Sequence, residues 1–372
     1  MGDRGLSERV SLPQRLTEPA GKEAELYRAL ANGRIQCTAC ARLCQIGEGQ
    51  VGLCGIRGVV GGRLYLLVYG RVIAGHIDPI EKKPVVHYKP GSKVFSIATT
   101  GCNWLCRYCQ NYDISQRRMV EGTKATPADI VGEALSRGCE GLAYTYNQPT
   151  IFMEYARDVG VLARKKGLFN IFVSNGYDTP ETVGMMDSFL DCITVDFKGN
   201  GEREFVRKYI GIPDAEPIFR TLLDMKQRTK VHIEITDLVV PEVGDSLVAA
   251  ERLCRWVHDN LGPDTPVHFL RFHPDYKMME FPATPVKTLE AHHAVGKKAG
   301  LNYVYVGNVP GHPAENTYCP GCGEVLVKRF GYDILEYNLD RQNRCVRCGQ
   351  KTPIVGPLSR SAGDERFVSV IN

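Results

Sequence analysis

Seven short runs of strand-favouring residues, separated by stretches with helical periodicity, constrain this chain more than any other feature. The runs lie at 93–99, 141–146, 170–174, 192–197, 231–240, 267–272 and 303–306. Between them apolar residues recur on one helical face, as do Ile151, Tyr155, Val159 and Leu162. Helix starts are marked by Thr126-Pro127, Thr179-Pro180 and Thr284-Pro285, each a capping threonine before a proline suited to the first helical position. Gly138, Gly167 and Gly300 follow the last turns. This alternation predicts an α/β fold with a parallel sheet and crossover helices. Six units precede the final strand, so the expectation is a partial (β/α)6 barrel of TIM type. Function then belongs at the carboxyl ends of the strands.

That rule selects residues. The first strand runs into Gly101-Cys102-Asn103-Trp104-Leu105-Cys106-Arg107-Tyr108-Cys109-Gln110-Asn111. The nearest other cysteines are Cys54, 48 residues before Cys102, and Cys139, 30 residues after Cys109. Three thiolates on one short loop suit an iron-sulfur cubane with one iron left open, because structural zinc and ferredoxin clusters bring a fourth ligand. The plainer alternatives are buried thiols or a zinc site completed from afar. The next strands end at Tyr146-Asn147-Gln148-Pro149, Ser174-Asn175-Gly176 and Asp196-Phe197-Lys198-Gly199, all on the same rim. Asp196 and Lys198, two apart, share a strand face, as do His232, Glu234 and Thr236 on the next strand. Charges facing a barrel interior need a ligand or each other, and a self-satisfied Asp196–Lys198 pair is the bland reading.

Of 14 cysteines, 11 fall into three clusters with metal-ligand spacing, which argues against a disulfide framework. Cys37-x2-Cys40-x3-Cys44-x9-Cys54 lies in a glycine-punctuated segment that needs a metal for stability; spacing leaves zinc and an iron-sulfur cluster equally open. Cys319-x2-Cys322-x22-Cys345-x2-Cys348, with Gly323 and Gly349 after the pairs, reads as a zinc ribbon, a rubredoxin-type iron site being the alternative. Cys139, Cys192 and Cys254 are isolated and read as buried, inert thiols. A net charge of +4 gives no argument for nucleic acid, and no apolar run reaches the length of a membrane span. The start of the chain lacks the apolar stretch of a signal peptide, so a cytoplasmic protein with no membrane partner is expected. The expected organisation is a polar surface arm at 1–33 with a helix at 19–31, and a four-cysteine module at 34–90 containing a short strand pair at 65–74. The barrel follows at 91–312, the ribbon at 313–356 and a mobile tail at 357–372.

The loop Cys102-x3-Cys106-x2-Cys109, with Tyr108 before the last cysteine and Asn111 after it, resembles the signature of the radical S-adenosylmethionine (SAM) enzymes. From about Cys37 to the last cysteine pair the chain is similar to the radical SAM member of the AmmeMemoRadiSam system, related to pyruvate formate-lyase activating enzymes. The resemblance implies a 4Fe-4S cluster on Cys102, Cys106 and Cys109, an open iron chelated by SAM, and reductive cleavage giving a 5′-deoxyadenosyl radical. Gln148-Pro149 matches the end of the Gly-Gly-Glu-Pro motif, with Gln148 for the acid and Tyr146-Asn147 for the glycines, so a charge-assisted bond to the SAM ammonium becomes a neutral one. Ser174 and Asn175 match contacts near the SAM ribose, Asp196 and Lys198 match an Asp-x-Lys of the activases, and His273 resembles a histidine near the methionine end. Val173 stands where activases often have an aspartate, so their monovalent-cation site is not carried over. Implied partners are an electron donor such as flavodoxin or ferredoxin, and Memo-like and AMMECR1-like proteins. The alternatives are a glycyl-radical activase and, from another class, a noncatalytic iron-sulfur or zinc adaptor. Connectivity places both added modules to flank the barrel entrance, which favours a small or extended substrate.

Overall fold

The computed structural model describes residues 15–359 and 367–371. Among these, the central sheet has nine strands. Seven are parallel and lie in space in their chain order: β1 (Lys93–Ala98), β2 (Gly141–Tyr144), β3 (Phe169–Ser174), β4 (Cys192–Lys198), β5 (His232–Val239), β6 (Val267–Arg271) and β7 (Val304–Gly307). The register is continuous across the centre, with Val195 opposite both Ser174 and Ile235. Crossovers run through α1 (Pro127–Ser136), α2 (Met153–Lys165), α3 (Pro180–Met186), α4 (Glu216–Arg228), α5 (Leu247–Leu261) and α6 (Val286–Lys298). β1 and β7 do not pair, so the sheet stays open, as a partial barrel requires.

Local chemistry explains these elements. Every residue of β1 and β2 is buried, as strands covered on both faces require. α1 opens with a capping box: Thr126 Oγ1 accepts from the Asp129 amide at 3.2 Å, and the Thr126 amide donates to Asp129 Oδ2 at 2.8 Å. α3 is capped by Thr179 in the same position. α6 departs from expectation by one residue, since Pro285 is its N-cap. Thr284 is drawn away instead: its hydroxyl donates to the Val239 carbonyl at 2.7 Å and accepts from the Phe272 amide at 2.8 Å. Cys139, Cys192 and Cys254 are buried.

The additions to the barrel depart further. The helix expected at 19–31 is absent; Lys22–Glu23 and Tyr27–Ala29 are strands. Ala24 and Leu26 are buried and Glu25 is exposed, a period of two. Glu154 of α2 captures this segment, accepting from the amides of Glu25 (3.0 Å) and Leu26 (3.4 Å). Its main partner is the buried Arg57 guanidinium, whose Nη1 donates to Glu154 Oε1 at 3.0 Å while Nη2 pairs with Oε2. The pair expected at 65–74 is likewise redistributed. Arg63–Leu66 pairs with Arg57–Val60, Arg71–Val72 pairs with Thr123–Lys124, and Ala74–Pro79 joins the central sheet antiparallel to β1. The expected mobile tail contains an ordered strand, Val368–Ile371, which pairs with Ala74–Pro79 and ends the sheet.

The carboxyl-terminal module has strands Thr317–Tyr318, Val325–Phe330 and Asp333–Tyr337. Buried Arg329 docks it, donating to Thr317 Oγ1 (2.8 Å) and to the Val86 carbonyl (3.2 Å). The Val86 amide in turn donates to Glu234 near the start of β5, and Thr317 Oγ1 meets the hydroxyl of Tyr305 near the start of β7. The module therefore sits over the amino ends of the barrel strands. Its hairpin at 329–333 also runs beside the carboxyl end of β7, sharing a pocket with Leu270, Gly307 and Asn308, so this part of the module does flank the open side of the barrel.

Candidate active site

The carboxyl ends of β1 to β7 surround a cavity of about 260 Å³. Cys102, Cys106 and Cys109 line one side. Tyr146, Asn147, Gln148, Asn175, Asp196 and Lys198 line it as well, Val173, Leu238, Leu270 and Phe272 form an apolar part, and Tyr108 and the exposed His273 also border it. Of the rim residues expected from the sequence, Ser174 alone is missing. Successive residues of a strand alternate in direction, so Val173 and Asn175 face the cavity and Ser174 points behind it. There its hydroxyl accepts from Gln148 Nε2 at 2.8 Å and from the Gly176 amide at 3.0 Å. Ser174 therefore lies behind the cavity lining.

Gln148 lines the cavity and is bonded at both ends of its carboxamide. Its Nε2 is shared among Thr150 Oγ1 (2.7 Å), Ser174 Oγ (2.8 Å) and Asp178 Oδ1 (3.2 Å), while its Oε1 accepts from the Asn175 amide at 2.7 Å. Both ends of the carboxamide are occupied by protein. Burial pushes the Asp178 carboxyl up to about 7, against the bonds it accepts from Thr150, Gln148 and Ser174.

Asn147 is held at one end only. Its Nδ2 donates to the Gly101 carbonyl (2.9 Å) and to Thr99 Oγ1 (3.2 Å), which ties the end of β2 to the cysteine loop. Those acceptors fix the amide orientation and leave Oδ1, buried on the cavity wall, without a hydrogen-bond partner. An orphaned acceptor of this kind calls for a donor from a ligand. Its neighbour Tyr146 holds a left-handed φ of 68° where the resembling motif has glycine. The Tyr146 hydroxyl pays for this conformation by donating to buried Asp78 at 2.8 Å.

Asp196 and Lys198 form an ion pair at 3.1 Å, and Asp196 also accepts from Thr236 Oγ1. Burial alone would lower the Lys198 ammonium, but Asp196 and the Cys106 thiol outweigh it and the net shift is upward. A cation thus lines the same cavity as the sulfurs. His232 and Glu234 lie lower in the barrel and are spent on each other, on His268 and on the backbone of Val86 and His87.

The loop itself fits an iron-sulfur cluster. Burial raises the thiols of Cys102, Cys106 and Cys109, so their thiolates need a compensating metal charge. Ser115 Oγ lies 3.1 Å from Cys109 Sγ, and Asn111 Nδ2 donates to the Tyr146 carbonyl at 3.2 Å. The sequence offered no signal for Ser115 or Asp178. For Asn103, whose Oδ1 accepts from Asn175 Nδ2 at 2.8 Å, position inside the cysteine loop was the one available clue.

Residues 96–253 match the radical SAM superfamily. An uncharacterized protein of Methanocaldococcus jannaschii is 40% identical over 337 residues, covering 90% of this chain and 99% of that protein. Solved structures similar to this chain include a domain of pyruvate-formate lyase-activating enzyme from Bacteroides vulgatus, at 12% identity and a TM-score of 0.40, covering 45% of this chain and 99% of that one. Another is a radical SAM methyltransferase from Sphaerobacter thermophilus, at 12% identity and a TM-score of 0.46, covering 61% of this chain and 70% of that one. A radical SAM domain implies a 4Fe-4S cluster and SAM. The chain belongs to the radical SAM superfamily and is a radical SAM enzyme.

Proposed function

We propose that the protein is a radical SAM enzyme of the AmmeMemoRadiSam type, in which Cys102, Cys106 and Cys109 hold the cluster and the rest of the rim holds SAM. The observation that carries this reading is the convergence of three thiols and the orphaned Asn147 Oδ1 on one cavity. When bound, the cluster supplies the electron that cleaves SAM to methionine and a 5′-deoxyadenosyl radical for hydrogen abstraction. Asn147 accepts from the SAM ammonium in place of a motif acid, Asn175 contributes a polar wall near the ribose, and Lys198 offers a donor held in place by Asp196. His273 stands at the methionine end. The apolar wall of Val173, Leu238, Leu270 and Phe272 keeps water from the reacting carbon.

The adaptor reading leaves the polar ring around the cavity without a purpose. We assign zinc to Cys319, Cys322, Cys345 and Cys348, and an external flavodoxin- or ferredoxin-type protein as electron donor. Anaerobic reconstitution followed by reduction with SAM present should yield 5′-deoxyadenosine. The C102A/C106A/C109A variant should yield none, and undiminished 5′-deoxyadenosine from it would overturn the reading.

A further inference from the structure

The four amino-terminal cysteines enclose a second, smaller cavity of about 20 Å³, too small for a substrate. Cys37, Cys40, Cys44 and Cys54 line it together with Arg42 and Asn103. The carboxyl-terminal set provides an internal comparison. There the sulfurs are drawn together, with Cys319–Cys348 at 3.5 Å and Cys322–Cys345 at 3.7 Å. Tetrahedral zinc with Zn–S near ~2.3 Å places its sulfurs about 3.8 Å apart, so that set has single-ion spacing. Among the described residues, only that set brings three or more donor atoms within 4.8 Å of one another. The amino-terminal sulfurs stand wider, around a void. A cubane demands this, because each thiolate binds a different iron.

A second observation points to a ligand with acceptor atoms in that void. Asn103, 1% exposed, has an Nδ2 with no hydrogen-bond partner, and the Arg42 Nη2 is also buried and unpartnered. Both residues border the cavity, and donors of this kind suit the sulfides of a cluster. The cavity also shares a wall with the radical site. Asn103 directly follows Cys102, and Arg42 Nε donates to the Asn103 carbonyl at 2.8 Å. At Gly101 a Cβ would lie 2.3 Å from the Cys54 carbonyl, so only glycine permits the two cysteine segments to approach this closely.

We propose that Cys37, Cys40, Cys44 and Cys54 hold a second 4Fe-4S cluster, closed by four protein ligands, that relays single electrons to the cluster at Cys102, Cys106 and Cys109. The electron comes from an external reduced flavin or iron-sulfur protein, which is oxidised by one electron. The second cluster is reduced and then reoxidised as the electron moves on, and no bond is made or broken. With no open iron it does not bind SAM. The relay rests on the assignment of the loop cluster; the metal assignment does not.

Iron, sulfide and zinc analysis with electron paramagnetic resonance of the full chain, isolated anaerobically, tests this. Wild type should carry about eight iron atoms per chain and show two signals on reduction, of which SAM shifts one. C102A/C106A/C109A should lose about half the iron and keep the SAM-insensitive signal. If wild type holds about four iron atoms, all lost in that variant, and a second zinc, the proposal fails while the radical SAM assignment of the loop stands. If the variant keeps all the iron, the loop assignment fails instead and the second cluster stands. For the relay, Cys40→Ala should lower SAM cleavage driven by a donor protein about tenfold more than cleavage driven by dithionite. An equal fall in both would overturn it.

Discussion

Asn147 divides its carboxamide between two tasks: the amino group braces the cysteine loop and the oxygen faces the cavity. Asn147→Ala should therefore weaken SAM binding by about ten- to a hundredfold, the value of roughly 1.5 to 3 kcal/mol for a hydrogen bond to a charged donor. Cluster absorbance should persist; unchanged SAM affinity by calorimetry would remove Asn147 from the ligand contacts. Behind it, Asp178 makes a pH prediction. Its carboxyl titrates at 3.8 when unperturbed and at about 7 in the fold, so between those values the folded chain keeps a proton that the unfolded chain releases. Stability consequently falls as pH rises through that window, and Asp178→Asn should flatten the slope measured by urea denaturation. Glu81 and Asp237, also raised to about 7 by burial, keep part of it. Strand-end logic located the rim from sequence, but it could not tell which side of β3 faces inward. It also could not see that Gln148 would be consumed by Asp178, thirty residues on. A motif acid restored at position 148 would stand against that carboxyl.

The crossover elements were legible because each carries its own signals: an apolar stripe, a Thr-Pro start and a glycine stop. The amino-terminal strands were not, because their conformation is imposed by one distant residue. Glu154 holds the backbone of Glu25 and Leu26 while neutralising Arg57, so α2, the cysteine module and the first strands share a single buried carboxylate. Burial pushes the Glu154 carboxyl up, but the Arg57 guanidinium outweighs it and holds it below its usual range. Removing one partner strands a charge in the interior. Glu154→Ala should cost about 3–5 kcal/mol of unfolding free energy, whereas the double variant Arg57→Met with Glu154→Leu should cost much less. Equal losses in single and double variants, measured at fixed metal content, would show that the backbone contacts of Glu154 matter more than its ion pair.

At the scale of the whole molecule, two additions fasten the open barrel at places that chain order does not reveal. The carboxyl-terminal module covers the amino ends of the strands through Arg329, and its core of Leu326, Val327, Leu339 and Ile354 is small beside that of the barrel. A module with so little apolar burial would depend on a metal held by its four cysteines, and zinc is the ion proposed above. A strong chelator should release one zinc and open this segment to protease, leaving the barrel resistant; resistance of the module would show that it folds without metal.

Beyond the module, Val368–Ile371 pairs with Ala74–Pro79 and occupies the edge of the nine-stranded sheet. Ile371 lies against Gly75, where a Cβ would meet its side chain at 3.1 Å. Removing this strand would uncover the backbone donors and acceptors of a buried, six-residue strand, an edge open to pairing with another chain. Behind that edge lies Asp78, which holds Lys82, Lys83 and the strained Tyr146. Truncation after Pro357 should therefore act twice: the protein should self-associate, and the Tyr146–Asn147 turn should loosen at the cavity wall. Sedimentation reports the first effect and SAM affinity of the monomeric fraction the second. A monomeric truncated chain with unchanged SAM affinity would mean that the closing strand neither protects the edge nor supports the site.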